Sequence, residues 1–234
     1  MSTEEHAVAE QPQTDPLRAA AETMRAVRER CVWSQRITHR DLVPYLIEES
    51  HEVIEAVESG TRGDLREELG DLLWQVLFHA AIAAQDPEDP FDIDDVAETL
   101  TEKMVRRHPH VFAGEVAMTP EEVLVHWNAA KAAEKRTRTS VLDGVPRGMP
   151  ALALAQKLVG RAAGVGAAGV GAAGVGAAGV ATAPATAPTS EADLGDAMLA
   201  LVSLARERGW DAERALRERL RGLEDEVRAA EAEG

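Results

Sequence analysis

Apolar residues recur at three- and four-residue intervals along most of this chain, the spacing of one face of an α-helix. Asp15-Pro16 reads as an N-cap followed by a first-turn proline and predicts a helix to about Arg30. A second helix is predicted from about Asp41 to Ser59, with Pro44 tolerated because it falls in the first turn. After the turn SGTRGD, Asp64 with Glu67 three residues on resembles a capping box and starts a third helix running to about Ala84. The fourth covers about Asp92 to Arg107 and ends at His108, because Pro109 disfavours the helical basin before it. Thr119-Pro120-Glu121-Glu122 opens a fifth, to about Arg136, and residues 191–208 and 211–230 read as two more. The first fourteen residues carry no period and read as a mobile tail.

Two of these helices raise a chemical question. At about 100° per residue, Leu42, Val43, Leu46, Ile47, Val53, Ile54 and Val57 share one arc of the second helix, opposite Glu48, Glu49, Glu52 and Glu55. Alone, this is an amphipathic helix with a solvated acidic face. The third helix carries Leu69, Leu72, Leu73, Val76 and Leu77 on one side, while Trp74 and Phe78 project from the side that bears Glu67, Glu68 and Asp71. A helix apolar nearly all round is normally buried, and burying lone carboxylates costs several kcal/mol or forces protonation. Glu49 and Glu52, and likewise Glu68 and Asp71, stand three apart and so lie on neighbouring turns of one face. A short turn makes the two helices antiparallel neighbours, so the four carboxylates can converge around a cation. All-oxygen ligation suits Mg²⁺ or Mn²⁺. A di-iron bundle wants a Glu-x-x-His on each of two helices; Glu48-Glu49-Ser50-His51 is one, but Glu68-Leu69-Gly70-Asp71 has no histidine.

Composition narrows the class. Aromatic residues are 3% of the chain, and abundant Ala, Leu, Glu and Arg favour an all-α fold. Against 25 Lys and Arg stand 41 Asp and Glu, a net charge of −16. That balance argues against a nucleic-acid partner, whose grip needs clustered cations, but not against a small phosphorylated ligand joined to acids by a metal. A single cysteine, Cys31, excludes an internal disulfide framework and any CxxC zinc site. The polar, acidic start has no signal-peptide pattern, and no run of about 18 apolar residues could span a bilayer, so a soluble, cytoplasmic protein is expected. GVGAA occurs three times in succession from Gly164, and residues 160–190 read as a Gly/Ala-rich linker with little to bury.

Cations and aromatics beyond the acids bear on the ligand. KMVRRHPHVF ends the fourth helix with Lys103, Arg106 and Arg107 at helical spacing. They are either ordinary complements to the helix dipole or a clamp for phosphate, which hard metals typically receive. Trp127 and Lys131, four apart, offer a surface for a base and another cation; core packing is the alternative for the Trp. His51, His79 and Trp33 read as packing or surface residues.

EESHE (Glu48–Glu52) followed by ELGD (Glu68–Asp71) resembles the EExxE…ExxD signature of the MazG family of nucleoside triphosphate pyrophosphohydrolases. KMVRRHPHVFAG, WNAAKAAEK and SVLDGVPRGMPAL resemble that family's downstream segments in the same order, so the likeness covers about residues 17–158. It implies an all-α helical bundle, usually a homodimer, that hydrolyses NTPs or dNTPs with Mg²⁺ to the monophosphate and pyrophosphate, as in nucleotide-pool housecleaning. By motif position Glu49, Glu52, Glu68 and Asp71 would be metal ligands, with Glu48 at the site's edge. Lys103 and Arg107, with Lys131 nearby, would hold phosphates, and Trp127 would contact the nucleotide.

The likeness has gaps. The family's CPWD-x-x-QTH pattern stands here as CVWSQRITH, which bears on base preference. Long members carry two tandem modules, and Asp193-Leu194-Gly195-Asp196 echoes Glu68-Leu69-Gly70-Asp71. Yet no Asp or Glu occurs between Gly144 and Ser190, where a second EExxE helix would stand. The expected organisation is therefore a tail (1–14), a catalytic helical domain (15–136), a family-like connector (137–159), the linker (160–190) and a degenerate second module (191–234). The rival class is a non-catalytic helical interaction protein with a solvated acidic face.

Overall fold

The computed structural model describes residues 15–134, 139–163 and 187–233, so the tail, residues 135–138 and most of the Gly/Ala tract lie outside it. Every regular element among the described residues is helical, as expected. None is long and apolar enough to cross a membrane. The chain divides into two compact units after Glu134.

In the first unit, α1 spans Pro16–Arg30, α2 Val43–Glu58, α3 Arg62–Ala83, α4 Ile93–Arg107, a one-turn α5 Pro109–Phe112, and α6 Pro120–Ala133. The end signals act as the chain chemistry requires. Asp15 accepts from the Leu17 N–H at 3.0 Å, and Asp92 caps α4 together with Asp95. At α3 the reciprocal cap is Thr61 with Asp64, three residues ahead of the expected Asp64–Glu67 pair. The hydroxyl of Thr61 takes the first free N–H groups, so the helix starts a turn earlier. Gly60 permits this tight reversal: a Cβ there would stand 2.7 Å from the Ala56 Cα. Only glycine fits.

The core is centred on Met24, Leu42, Leu77 and Phe78, with Leu73, Trp74, Ile82 and Ile93 packed around it. Phe78, expected on the acid-bearing side of α3, is fully buried, whereas Leu69 and Val76 of the expected apolar side are largely exposed. A helix apolar nearly all round has no preferred face, and its partners α1 and α2 chose one. Buried Arg28 locks the α1–α2 loop: its guanidinium donates to the carbonyls of Ser34 and Ile37 and to Gln85 Oε1 at 2.9 Å. The loop holds a three-residue 3-10 turn, Ser34–Arg36, that periodicity did not reveal. Along α2 the apolar arc is mostly uncovered in the single chain, with Ile47 54% and Val57 65% exposed and only Leu42, just before the helix, buried.

The second unit contains α7 (Ala151–Ala163), α8 (Glu191–Glu207) and α9 (Ala212–Glu233), which pack on one another. Helix α7 is unexpected: it lies in the predicted connector and runs on through Gly160. A conformationally free residue is carried there by the apolar flank of Leu152, Leu154 and Leu158. Gln156 ties the α8–α9 corner, donating to the Trp210 carbonyl at 2.8 Å and accepting from the Ala212 N–H at 3.2 Å. Gly209, with φ +70°, makes that corner.

Candidate active site

Helices α2 and α3 run side by side from the Gly60 turn, and their acids meet in matched order. Glu49 feels the charge of Asp71, and Glu68 that of Glu52, the pairing that an antiparallel approach produces. Carboxylate oxygens of Glu49, Glu68 and Asp71 lie within 4.8 Å of one another, a set that can hold a metal ion. Burial first, and then repulsion from Asp71 and Glu52, pushes the Glu49 carboxyl above the usual range. Burial, Glu52 and Asp71 do the same to Glu68. Such a cluster is held at an electrostatic cost that a bound cation would remove. Its all-oxygen donor set fits a hard divalent ion. Glu52 stands beside this triad and lines a neighbouring hollow with Ser59, Asp64 and Glu68, while Glu48 is exposed on the adjoining α2 surface.

A cavity of about 330 Å³ opens against Glu49 and Asp71. Its other walls are Trp33, Leu42, Tyr45, Trp74, Gln75 and Phe78. Trp33 meets Tyr45 edge-on at 6.3 Å and Phe78 at 6.1 Å, and Trp74 meets Phe78 at 5.8 Å. Trp33, expected only to pack the loop, is 51% exposed at this cavity. Gln75 is 3% exposed and its Oε1 has no partner, an arrangement that costs about 1–3 kcal/mol where an acceptor is left dry.

The cations form a second centre on α4 and α6. Arg107 grips Glu134 along one edge, Nε to Oε1 at 3.2 Å and Nη2 to Oε2 at 2.5 Å, and its guanidinium lies 4.9 Å over the ring of Trp127. His108 meets the same indole edge-on at 5.3 Å. Arg106 shares the carboxylate at 3.0 Å. The two guanidiniums, Arg107 first, hold the Glu134 carboxyl down at about 2. Lys103 lies one turn before Arg107 and Lys131 one turn after Trp127, both half-buried. Among the described residues, no hydrogen bond or ion pair links either lysine, or Arg107, to the carboxylate triad.

Sequence reasoning passed over Tyr45, Gln75 and Glu134. For Glu134 a signal existed: an acid at the C-terminal end of a helix opposes the helix dipole, so it needs a cationic partner elsewhere. Gln75 and Tyr45 carry no such signal, because only packing decides what surrounds them.

An all-α bundle with a convergent carboxylate set and a separate cationic centre offers the donor types that a hard metal ion and a charged phosphorylated ligand require. Comparison narrows the class. The model of the MazG nucleotide pyrophosphohydrolase domain matches residues 37–112, which include the whole carboxylate cluster. The nucleoside triphosphate pyrophosphohydrolase of Escherichia coli is 35% identical over 94% of this chain and 87% of its own length. That of Mycobacterium tuberculosis is 54% identical over 57% of this chain, a stretch spanning 41% of the relative. An uncharacterized 26.1 kDa protein from the blaB 3′ region of Streptomyces cacaoi is 49% identical over 90% of this chain and 80% of its own. The chain belongs to the MazG family.

Proposed function

We propose that this protein is a Mg²⁺-dependent nucleoside triphosphate pyrophosphohydrolase that clears unwanted NTPs or dNTPs from the nucleotide pool. The observation that carries the reading is the convergence of Glu49, Glu68 and Asp71 at the start of the α2–α3 pair, with Glu52 beside them. These four would hold the metal, with Mn²⁺ as a substitute. When bound, the ion offsets phosphate charge and acidifies a water molecule.

Lys103, Arg107 and Lys131 bind the phosphate oxygens and offset charge that grows on the leaving group. Arg107 keeps its outer donors for this task, because Glu134 engages only one edge of the guanidinium. Trp127 supports the guanidinium from its face and contacts the nucleotide; Glu48 borders the site on α2. Water attacks the α-phosphorus, and the bond to the α–β bridging oxygen breaks. Pyrophosphate leaves with that oxygen, and no protein nucleophile is required.

The catalytic part is residues 15–136, with 191–234 a degenerate second module; residues 160–163, expected to open the linker, instead end α7. The working form is a homodimer in the cytoplasm, a reading supported by the uncovered apolar arc of α2. A mixed dNTP assay with Mg²⁺ tests the function: pyrophosphate appears, orthophosphate does not, and EDTA abolishes the reaction. Release of orthophosphate alone, or no release at all, overturns it.

A further inference from the structure

We infer that Gln75 reads the nucleobase, selecting bases with an amino group at purine C6 or pyrimidine C4 over those with a keto oxygen there, in the aromatic cavity beside the carboxylate cluster. The inference rests on the pyrophosphohydrolase reading and adds to it the location and edge chemistry of the base. Three observations carry it. The cavity is walled by four aromatic rings, among them Trp33, which is half exposed. Flat π faces are what a base stacks on, whatever its identity. Glu49 and Asp71 line the same cavity, so a nucleotide whose phosphates meet the metal acids brings its base toward those rings.

The third observation is Gln75 itself. It is the polar wall residue of that cavity that is almost wholly buried, and its Oε1 is buried without a hydrogen-bond partner. A buried acceptor without a protein partner in a folded protein needs an explanation. A ligand that donates to it is a sufficient one. The terminal torsion of a glutamine is soft, so rotation of the carboxamide can turn this oxygen toward the cavity that Gln75 lines. The amino groups of adenine and cytosine supply the missing donor; the keto oxygens of hypoxanthine and uracil at the same positions present a second acceptor. Helix α3 sets the placement: Gln75 follows Asp71 by one turn, so the metal acid and the base reader project from one side of one rigid element.

The test uses the full chain and two analogue pairs whose α,β-bond cannot be cleaved: the α,β-methylene forms of ATP against ITP and of CTP against UTP. Binding is measured with Mg²⁺ by calorimetry. The native protein is expected to bind the amino member of each pair at least about tenfold more tightly, since a site built to bond a group rejects the analogue lacking it. Gln75→Leu should bring both ratios to within about twofold, whereas Gln75→Glu, which keeps an acceptor, should retain the amino preference. Trp33→Ala, checked for native helical circular dichroism because Trp33 also meets Phe78, should weaken all four analogues by about tenfold, the value of one stacked base. Equal native affinities, ratios unmoved by Gln75→Leu, or unchanged binding in Trp33→Ala would each overturn the inference. Pyrophosphate release from ATP and CTP is scored separately. Its absence alongside intact discrimination would fault the hydrolase reading and leave the base site standing.

Discussion

The two units carry the same short phrase in different surroundings. Helix α3 contains Glu68-Leu69-Gly70-Asp71, and α8 contains Asp193-Leu194-Gly195-Asp196. Counted from the shared Gly-Asp, Val202 and Ala205 fall where Leu77 and Ala80 fall, and all four are buried. The packing rows correspond, yet among the described residues only the first copy assembles a carboxylate cluster. In the first unit α2 lies along α3 and delivers Glu49 and Glu52; among the described residues of the second, α8 packs only on α7 and α9. The acids on α8 also have other work. Asp193 accepts from the N–H and hydroxyl of Thr189 and sits below the usual range because of those bonds, fixed at the first turn of its helix. Glu68, deeper in α3 and facing other acids, is pushed the opposite way. A motif is a site only when a neighbouring helix completes it.

The largest expected contrast separates the paired aspartates. Asp71→Asn, like Glu52→Gln, should lower turnover by at least about a hundredfold through loss of metal charge neutralisation. Asp196→Asn should leave turnover within about twofold, because none of the described residues of its unit completes a ligand set. Both should keep the native helical circular dichroism. Comparable losses at Asp71 and Asp196 would erase the distinction between the units.

Next in size is the cationic centre. Lys103→Ala and Arg107→Ala should raise KM and lower kcat together, each by about tenfold, as phosphate contacts held in ground and transition states do. Arg106→Ala should do less, since Arg106 meets Glu134 on the more exposed flank. Truncation after Glu134 sharpens the point further: a soluble product that retains pyrophosphate release confines the chemistry to the first unit. A soluble, dimeric product without activity would assign part of the site to residues 135–234.

Smaller effects follow from the caps and pairs. Asp193→Ala should lower the melting temperature of the second unit slightly, through loss of its bonds to Thr189, without altering hydrolysis. Glu68→Gln, by contrast, should not lower the melting temperature of the metal-free protein at neutral pH, because it removes repulsion. Mg²⁺ should raise the native melting temperature and fail to raise that of Glu68→Gln to the same degree.

Acid tests the clamp. Glu134 falls from an ordinary 4.5 to about 2 in the fold, so its stabilisation is complete above about 4.5 and is lost as pH drops toward 2. Thermal melts between pH 6 and pH 2.5 should show a shallower acid decline for Glu134→Gln than for the native chain. An identical decline would mean that the Arg107–Glu134 bond contributes nothing to folding.

Most element ends were legible because they depend on chain-local chemistry. Asp15-Pro16, Asp92 and His108-Pro109 mark the ends of α1 and α4, where caps and prolines act within a turn. Where local signals competed, reading failed: Thr61 and Asp64 both offered a start to α3, and the Gly60 reversal favoured the earlier one. Helix α7 was missed because an apolar stretch containing Gly160 has weak local preference, and its contacts with α8 and α9 supply what propensity lacks. The acid quartet was readable since its spacing places both pairs on helix faces, and the short α2–α3 turn leaves little choice of pairing.

What the sequence by itself determined is the helical class, the helix ends that carry their own caps, and the carboxylates able to meet across one tight turn. These follow from interactions spanning four residues or a single reversal, which the chain encodes directly. Tertiary structure decided which side of α3 became core, since the helix has no preferred apolar face and its neighbours broke the tie. It also decided that Gln75 lies buried beside four aromatic rings and that Glu134, from the far end of α6, holds Arg107 against Trp127. Those arrangements join residues tens of positions apart, and burial, not spacing, sets their chemistry.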